Sequence, residues 1–245
     1  MAAVAARPPS RFDWGCAAVD VSQGQSFDDS TVSVGLACRV PGASSPDELW
    51  RLLSNGIEWI ADEPHDGRFW DLLSASGITE PERRMVERGG YLSDMDKFDA
   101  SFFGIAPREA QSMDPQQRLV LELSWEALEH GGIIAAAING MEAGIFIPLE
   151  LLDRFLKTGG GRSMVANHVS RFFGLHGPGM SVDCGQYSSL VAVHLACECI
   201  RSGESVLALA GGVHLNLSSG SGVGMLKFGA LCPDGRSFVF DARAA

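Results

Sequence analysis

The apolar positions of this chain change their period several times, and each change marks an element. Thr31 to Cys38 (TVSVGLAC) is a short apolar run ending near Arg39, which predicts a buried first strand. In Ser45-Pro46-Asp47-Glu48, serine stands as N-cap, proline in the first helical position and glutamate at the third. That is a capping box, so a helix starts here. Leu49, Trp50, Leu52 and Leu53 follow at helical spacing, and Asn55-Gly56 supplies the stop. Residues 57–100 carry little periodicity and read as loop-rich. A second capped helix starts at Asp114-Pro115-Gln116-Gln117, with Gln117 able to reach back to the cap. Leu121, Trp125 and Leu128 form its apolar face, and His130-Gly131-Gly132 ends it.

Ala143 to Ile147 (AGIFI) reads as another buried strand, and Thr158-Gly159-Gly160-Gly161 breaks the chain. Ser181-Val182 close a short strand that runs into Asp183-Cys184-Gly185-Gln186. From Ser188 to Ile200 the chain is apolar nearly all round, which predicts a buried helix. Val206 to Val213 is a continuous apolar run, the mark of a strand covered on both faces. Gly220-Ser-Gly-Val-Gly224 reads as a loop. Strands alternate with helices, so the fold class is α/β with a largely parallel or mixed sheet. Residues 1–30 have no periodicity and are expected to form a disordered leader, with one domain over 31–245.

Composition narrows the function classes. Hydrophobic residues make up 46% of the 245 and charged residues 20%, enough for a real core. The net charge of −11 argues against generic nucleic-acid binding, which needs a basic footprint. Cys16, Cys38, Cys184, Cys197, Cys199 and Cys232 include no CxxC pair, so neither a disulfide framework nor a zinc site is expected. Reduced thiols fit a cytoplasmic protein. No run is long and apolar enough for a membrane helix, and no secretory signal opens the chain.

The unit that carries chemistry is Met180 to Val193: strand, tight turn, Gln186, helix. A residue at the mouth of a helix meets unpaired backbone N–H groups and the positive end of the dipole. A thiol there would have a lowered pKa, and a carbonyl oxygen gaining negative charge would be stabilised. The neighbouring candidates are weaker. Cys184 lies two residues early, on the strand side, and reads as a small packing residue. His194 reads as a core histidine; His168, His176 and His214 offer no triad spacing. Thr158–Ser163 lacks the lysine of a phosphate loop. Asp234, Arg236 and Asp241 read as structural ion pairs or turn bonds.

The chain resembles the N-terminal half of the β-ketoacyl synthase (ketosynthase) domains of modular type I polyketide synthases. The resemblance rests on VGLACRVPGASSPDELWRLL, FDASFFGIAPREAQSMDPQQRLVLELSWEALEHGGI, NHVSRFFGLHGPGMSVD, SSLVAVHLACE, LALAGGVHLNLS and KFGALCPDGRSFVFDARA, in that order. It implies a thiolase-like fold, a homodimer, and acyl groups delivered on the phosphopantetheine arm of an acyl carrier protein, with no cofactor bound directly. The family places its catalytic cysteine in V-D-[TS]-A-C-S-S-S. Here the stretch reads Val182-Asp183-Cys184-Gly185-Gln186-Tyr187-Ser188-Ser189, so Gln186 falls on the nucleophile position. V-D-x-G-Q is similar to the glutamine-type ketosynthases of loading modules, which decarboxylate malonyl- or methylmalonyl-carrier protein to make a starter unit. An amide cannot form the acyl thioester that condensation needs.

The family's two histidines, in H-G-T-G-T and N-x-G-H contexts, do not occur before Ala245, so the fragment is expected to be catalytically incompetent by itself. Its apolar face is expected to lie open for want of the second half. The segment from Pro148 to Val165 is short for the family, and Tyr187 replaces a small serine. A degenerate, non-catalytic scaffold or partner surface stays open beside the decarboxylase, and an ordinary condensing acyltransferase stands third.

Overall fold

The computed structural model describes residues 2–6, 31–62, 77–148, 164–217, 219–233 and 242. They fall into two units: Met1–Arg39 with Asp94–His214, and Val40–Ser93 with Leu215–Ala245.

The first unit is built on a five-stranded sheet. Its strands are β1 (Ala2–Ala6), β2 (Val32–Ala37), β5 (Ala143–Pro148), β6 (Gly179–Val182) and β7 (Leu207–Gly211), in the order β2-β1-β7-β5-β6. Strand β5 pairs parallel with both β6 and β7. Strand β1 runs antiparallel between β7 and β2, so it alone opposes the others. The sheet is mixed, as the α/β reading allows.

Two corrections follow from β1. Where a disordered leader is expected, Ala2–Ala6 form an interior strand; residues 7–30 lie outside the described residues. Pairing partners, which no periodicity in so short a segment can signal, override its composition. The run Thr31 to Cys38 does form a strand, but β2 is the second one and lies at the sheet edge. Gly35 and Ala37 are buried, whereas Val32, Val34 and Leu36 are more than a third exposed. A continuous apolar run does not distinguish an edge strand from a central one.

Helices cover both faces of the sheet. α4 (Pro115–His130) and α5 (Met164–Phe173) lie on one side, and α6 (Ser188–Arg201) lies on the other against β5 and β7. Asp114 caps α4 by accepting from the Gln116 N–H at 2.8 Å. The expected reach of Gln117 fails: its Oε1 is buried without a partner, because the side chain is drawn into the core. Gly35 meets α4 so closely that a Cβ would run into the Ala127 carbonyl. Arg39 clamps Glu126 with both terminal guanidinium nitrogens, tying the end of β2 to α4. Phe102 lies edge-on to Trp125 at 4.7 Å, and Phe103 stacks with Phe98 at 5.3 Å. Phe172 and Phe173 join the same cluster, which pins the segment containing the short α3 (Pro107–Ser112) to α4 and α5.

The second unit holds α1 (Pro46–Ser54), α2 (Glu80–Glu87), α7 (Ser219–Phe228) and the pair β3 (Ala61–Asp62) and β4 (Arg88–Gly89). The first helix starts and stops where expected. Ser45 accepts from the Glu48 N–H, while Glu48 answers to Ser44 instead of the cap itself. Residues 57–100 are less loop-like than they read, since Thr79 and Glu82 form a capping box for α2. Gly220–Gly224, expected as a loop, lies in α7. Its Gly222 sits where a Cβ would meet Val86 at 2.7 Å, so close packing on α2 outweighs the poor helix propensity of glycine. The expectations for Thr158–Ser163 and for Asp234, Arg236 and Asp241 lie outside the described residues. No described helix is long and apolar enough to cross a membrane.

Candidate functional site

Parallel strands β7, β5 and β6 lie side by side, and their carboxyl ends share one edge. The chain leaves β5 for β6 on one side and returns past β5 to β7 on the other. Ligands of open α/β sheets bind at such a switch point. Pro148 ends β5, Asp183 follows β6, and Gly211-Gly212 ends β7. The first turn of α6 comes down on the same edge. A Cβ on Gly212 would meet Ser189 Oγ at 2.6 Å and Pro148 Cγ at 3.6 Å, so three segments converge there.

Gln186 lies three residues before Ser189 in the chain, exposed, between the end of β6 and the start of α6. The turn that carries it is held by Ser188, which sequence reasoning did not single out. The Ser188 hydroxyl accepts from the Cys184 N–H at 2.8 Å and donates to the Gly185 carbonyl at 2.5 Å. The Ser188 N–H adds a bond to the same carbonyl at 3.1 Å. Gly185 takes a φ of +72°, the left-handed region that a side chain disfavours. Asp183 Oδ1 accepts from the Gly185 N–H at 3.4 Å. A serine three residues after a turn glycine was the signal available in the sequence.

Tyr187 is the N-cap residue of α6 and gives it no side-chain cap. The Ser188 N–H is taken by the Gly185 carbonyl and the Leu190 and Val191 N–H groups by the Tyr187 carbonyl, so what meets position 186 is the positive end of the helix dipole. The arrangement offers a polar amide and a positive dipole end at one spot, suited to a carbonyl oxygen gaining charge. It offers no thiol. Cys184 is half-buried on the strand side. Cys199 faces Gly144 inside the α6–β5 contact, where burial pushes its thiol pKa up. It is a packing residue of that contact.

The expectation that α6 is buried all round is corrected. Ser188, Ala192, Ala196, Cys199 and Ile200 face the sheet, while Leu190 is 75% exposed and Val193 and His194 lie outward. The apolar outer face is covered by nothing among the described residues. The expectation of His194 as a core histidine fails with it. His168 sits on α5 near Glu109 and Arg171, and burial lowers its pKa. His176 precedes β6, at the opposite end of that strand from Gln186. His214 lies just beyond β7, on the same edge as Gln186. No second histidine joins it there among the described residues.

Residues 28–245 match the family model described as "Beta-ketoacyl synthase, N-terminal domain". The chain is 47% identical over 231 residues to polyketide synthase GfsA of Streptomyces halstedii, covering 89% of this chain and 3% of that protein. It is 42% identical over 230 residues to the pikromycin synthase component PikAII of Streptomyces venezuelae, covering 86% of this chain and 6% of that protein. Among solved structures, the ketosynthase from module 6 of the bacillaene synthase of Bacillus subtilis 168 superposes with a TM-score of 0.74 at 32% identity, covering 82% of this chain and 35% of that one. The chain thus spans a small part of the synthases it matches and about a third of the solved ketosynthase. The fold is the N-terminal half of a thiolase-like ketosynthase. With the strand–turn–helix unit, the sheet and the matched residues in agreement, the chain belongs to the β-ketoacyl synthase family, as a ketosynthase domain of the modular polyketide synthase kind.

Proposed function

We propose that the chain is the Gln186-bearing part of a loading-type ketosynthase, which decarboxylates a malonyl or methylmalonyl thioester held on the phosphopantetheine arm of an acyl carrier protein. The observation that carries this reading is the amide at position 186, at the mouth of α6 where its relatives' V-D-[TS]-A-C pattern has sulfur. In the reaction the bond from the substrate's carboxylate carbon to its α-carbon breaks. Carbon dioxide leaves, and the electron pair passes into the thioester as an enolate. The positive end of the α6 dipole, next to position 186, supports stabilisation of that developing oxyanion. A proton then reaches the α-carbon, giving the acetyl or propionyl starter. The amide at 186 cannot take the acyl group, so condensation is disfavoured. The family's two histidines stand in contexts that this sequence does not contain, so the reaction belongs to a complete synthase polypeptide, which we place in the cytoplasm as a homodimer.

A full-length synthase carrying this chain is expected to convert malonyl-carrier protein to acetyl-carrier protein. Gln186→Ala should reduce the rate about 100-fold, the scale of losing one oriented polar group at an oxyanion site. Intact-mass spectrometry of the carrier protein reads the result, and no loss of carbon dioxide from the wild type would remove the proposal. A second reading, a non-catalytic scaffold, draws on Tyr187, a 62% exposed phenol next to Gln186 where a small serine is expected. Unchanged decarboxylation in Tyr187→Ser would count against it; a gain from an inactive wild type would support it.

A further inference from the structure

Condensation and starter formation share the loss of carbon dioxide and part at the next step. In condensation the enolate attacks an acyl carbon. With an amide at 186 there is no acyl group to attack, so the enolate must take a proton on its α-carbon. An acid must therefore stand within reach of that carbon. The Gln186 amide is not one, and Ser188 commits its hydroxyl proton to the Gly185 carbonyl.

Strand β7 brings a histidine to that edge. Side chains along a strand alternate between the two faces of its sheet. Leu207 and Leu209 enter the core beneath α4 and α5, whereas Ala208 and Ala210 enter the core beneath α6. The alternation continues past the strand end. A Cβ on Gly212 would meet Ser189 Oγ, in the first turn of α6, at 2.6 Å, and Val213 packs back on the α4–α5 side. His214 comes next, on the α6 side again, and it is exposed. Two extended residues span about 7 Å, so His214 stands one step outward from the first turn of α6, beyond the carboxyl ends of the strands. Its backbone is held on both sides, by Val213 against the core and by the buried Leu215. Arg39, at the end of β2 on the same edge, is engaged on the α4 side by Glu126.

We propose that His214 is the proton donor of the decarboxylase, the group that turns the enolate into the acetyl or propionyl thioester; this rests on the reading of Gln186 given above. In the step, the electron pair left on the α-carbon by carbon dioxide forms a C–H bond with the imidazolium proton. The N–H pair stays on the ring. The neutral imidazole then recovers a proton from water, which its exposed position allows. The amide at 186 and the acid at 214 are two parts of one departure from condensation. The first removes the acyl acceptor, and the second quenches the enolate that the missing acceptor leaves behind.

The test uses a full-length synthase carrying this chain, malonyl-carrier protein and isotope-labelled dissolved carbon dioxide, read by intact-mass spectrometry. His214→Gln should slow the formation of acetyl-carrier protein about 100-fold, the scale of losing a general acid. Its Tm should not change, because the side chain is exposed. Without its donor the enolate persists and recaptures carbon dioxide, so label should accumulate in malonyl-carrier protein above the wild-type level. A merely structural role for His214 would slow the reaction without that label. His176→Gln, at the far end of β6, should change neither readout. A wild type that loses no carbon dioxide removes the reading of Gln186 and this inference with it. A wild type that decarboxylates, beside a His214→Gln variant that keeps pace or slows without gaining label, overturns this inference alone. Label that accumulates in Tyr187→Phe and not in His214→Gln would pass the role to the phenol and overturn it too.

Discussion

Gln186 owes its place to three residues that are not themselves reactive. Gly185 allows the left-handed turn, Asp183 holds its N–H, and Ser188 ties Cys184 to Gly185 through one hydroxyl. Ser188 is thus a positioning residue, and its role can be read with a reporter thiol. In the Gln186→Cys variant, the thiol should titrate below the ordinary value of about 8.5, because it stands at a helix N-terminus. Adding Ser188→Ala should move the midpoint back toward that value, and Ser188→Thr should restore it. Alkylation rate against pH, followed by peptide mapping, separates this thiol from the native cysteines. An unmoved midpoint would mean that the turn holds without the hydroxyl. The position of Gln186 was legible because a strand end, a glycine and a helix start occur in immediate succession. The bracing by Ser188 was not, because a hydroxyl four residues from its donor reveals its bond only once the turn is folded.

At the scale of elements, the helix starts were the most readable features, since a cap and its partner lie within four residues of each other. Asp114 shows the limit. It caps α4, yet burial raises its carboxyl pKa against the pull of the Gln116 N–H and of Arg118. The folded chain then binds that proton more tightly than the unfolded chain. Its contribution to stability falls as pH rises from the ordinary aspartate value through the raised folded value. Asparagine caps as well without the charge. Asp114→Asn should raise Tm at pH 7 and flatten its decline above the ordinary aspartate value, whereas Asp114→Ala should cost about 1 kcal/mol for the lost cap. Thermal unfolding across that pH range checks both. Strand β1 and helix α7 escaped the reading because their local propensities are poor; each persists through what it packs against.

For the molecule as a whole, what matters is how the layers close. The sheet meets α4 through Gly35, which has no room for a side chain beneath the Ala127 carbonyl. Gly35→Ala should force β2 and α4 apart and cost about 1–3 kcal/mol, the range for overpacking a tight contact. Urea unfolding should show the loss as a lower midpoint with an unchanged slope, and no loss would mean that the edge strand yields freely. On the other side of the sheet, α6 covers β5 and β7 and turns Leu190 and Val193 outward. Its sequence could not have told which of its apolar flanks would be covered, because coverage depends on what else is present.

Local order is therefore written into the chain wherever the interacting groups are close in sequence. The capped helices α1 and α4, the buried strands β5 and β7, and the strand–turn–helix that presents Gln186 all follow from hydrogen bonds and periodicities a few residues long. Strand order, the edge position of β2, the entry of Ala2–Ala6 into the sheet and the half-open face of α6 were settled by folding. Each depends on surfaces far apart in the chain, and an apolar residue carries no label for the partner that will cover it.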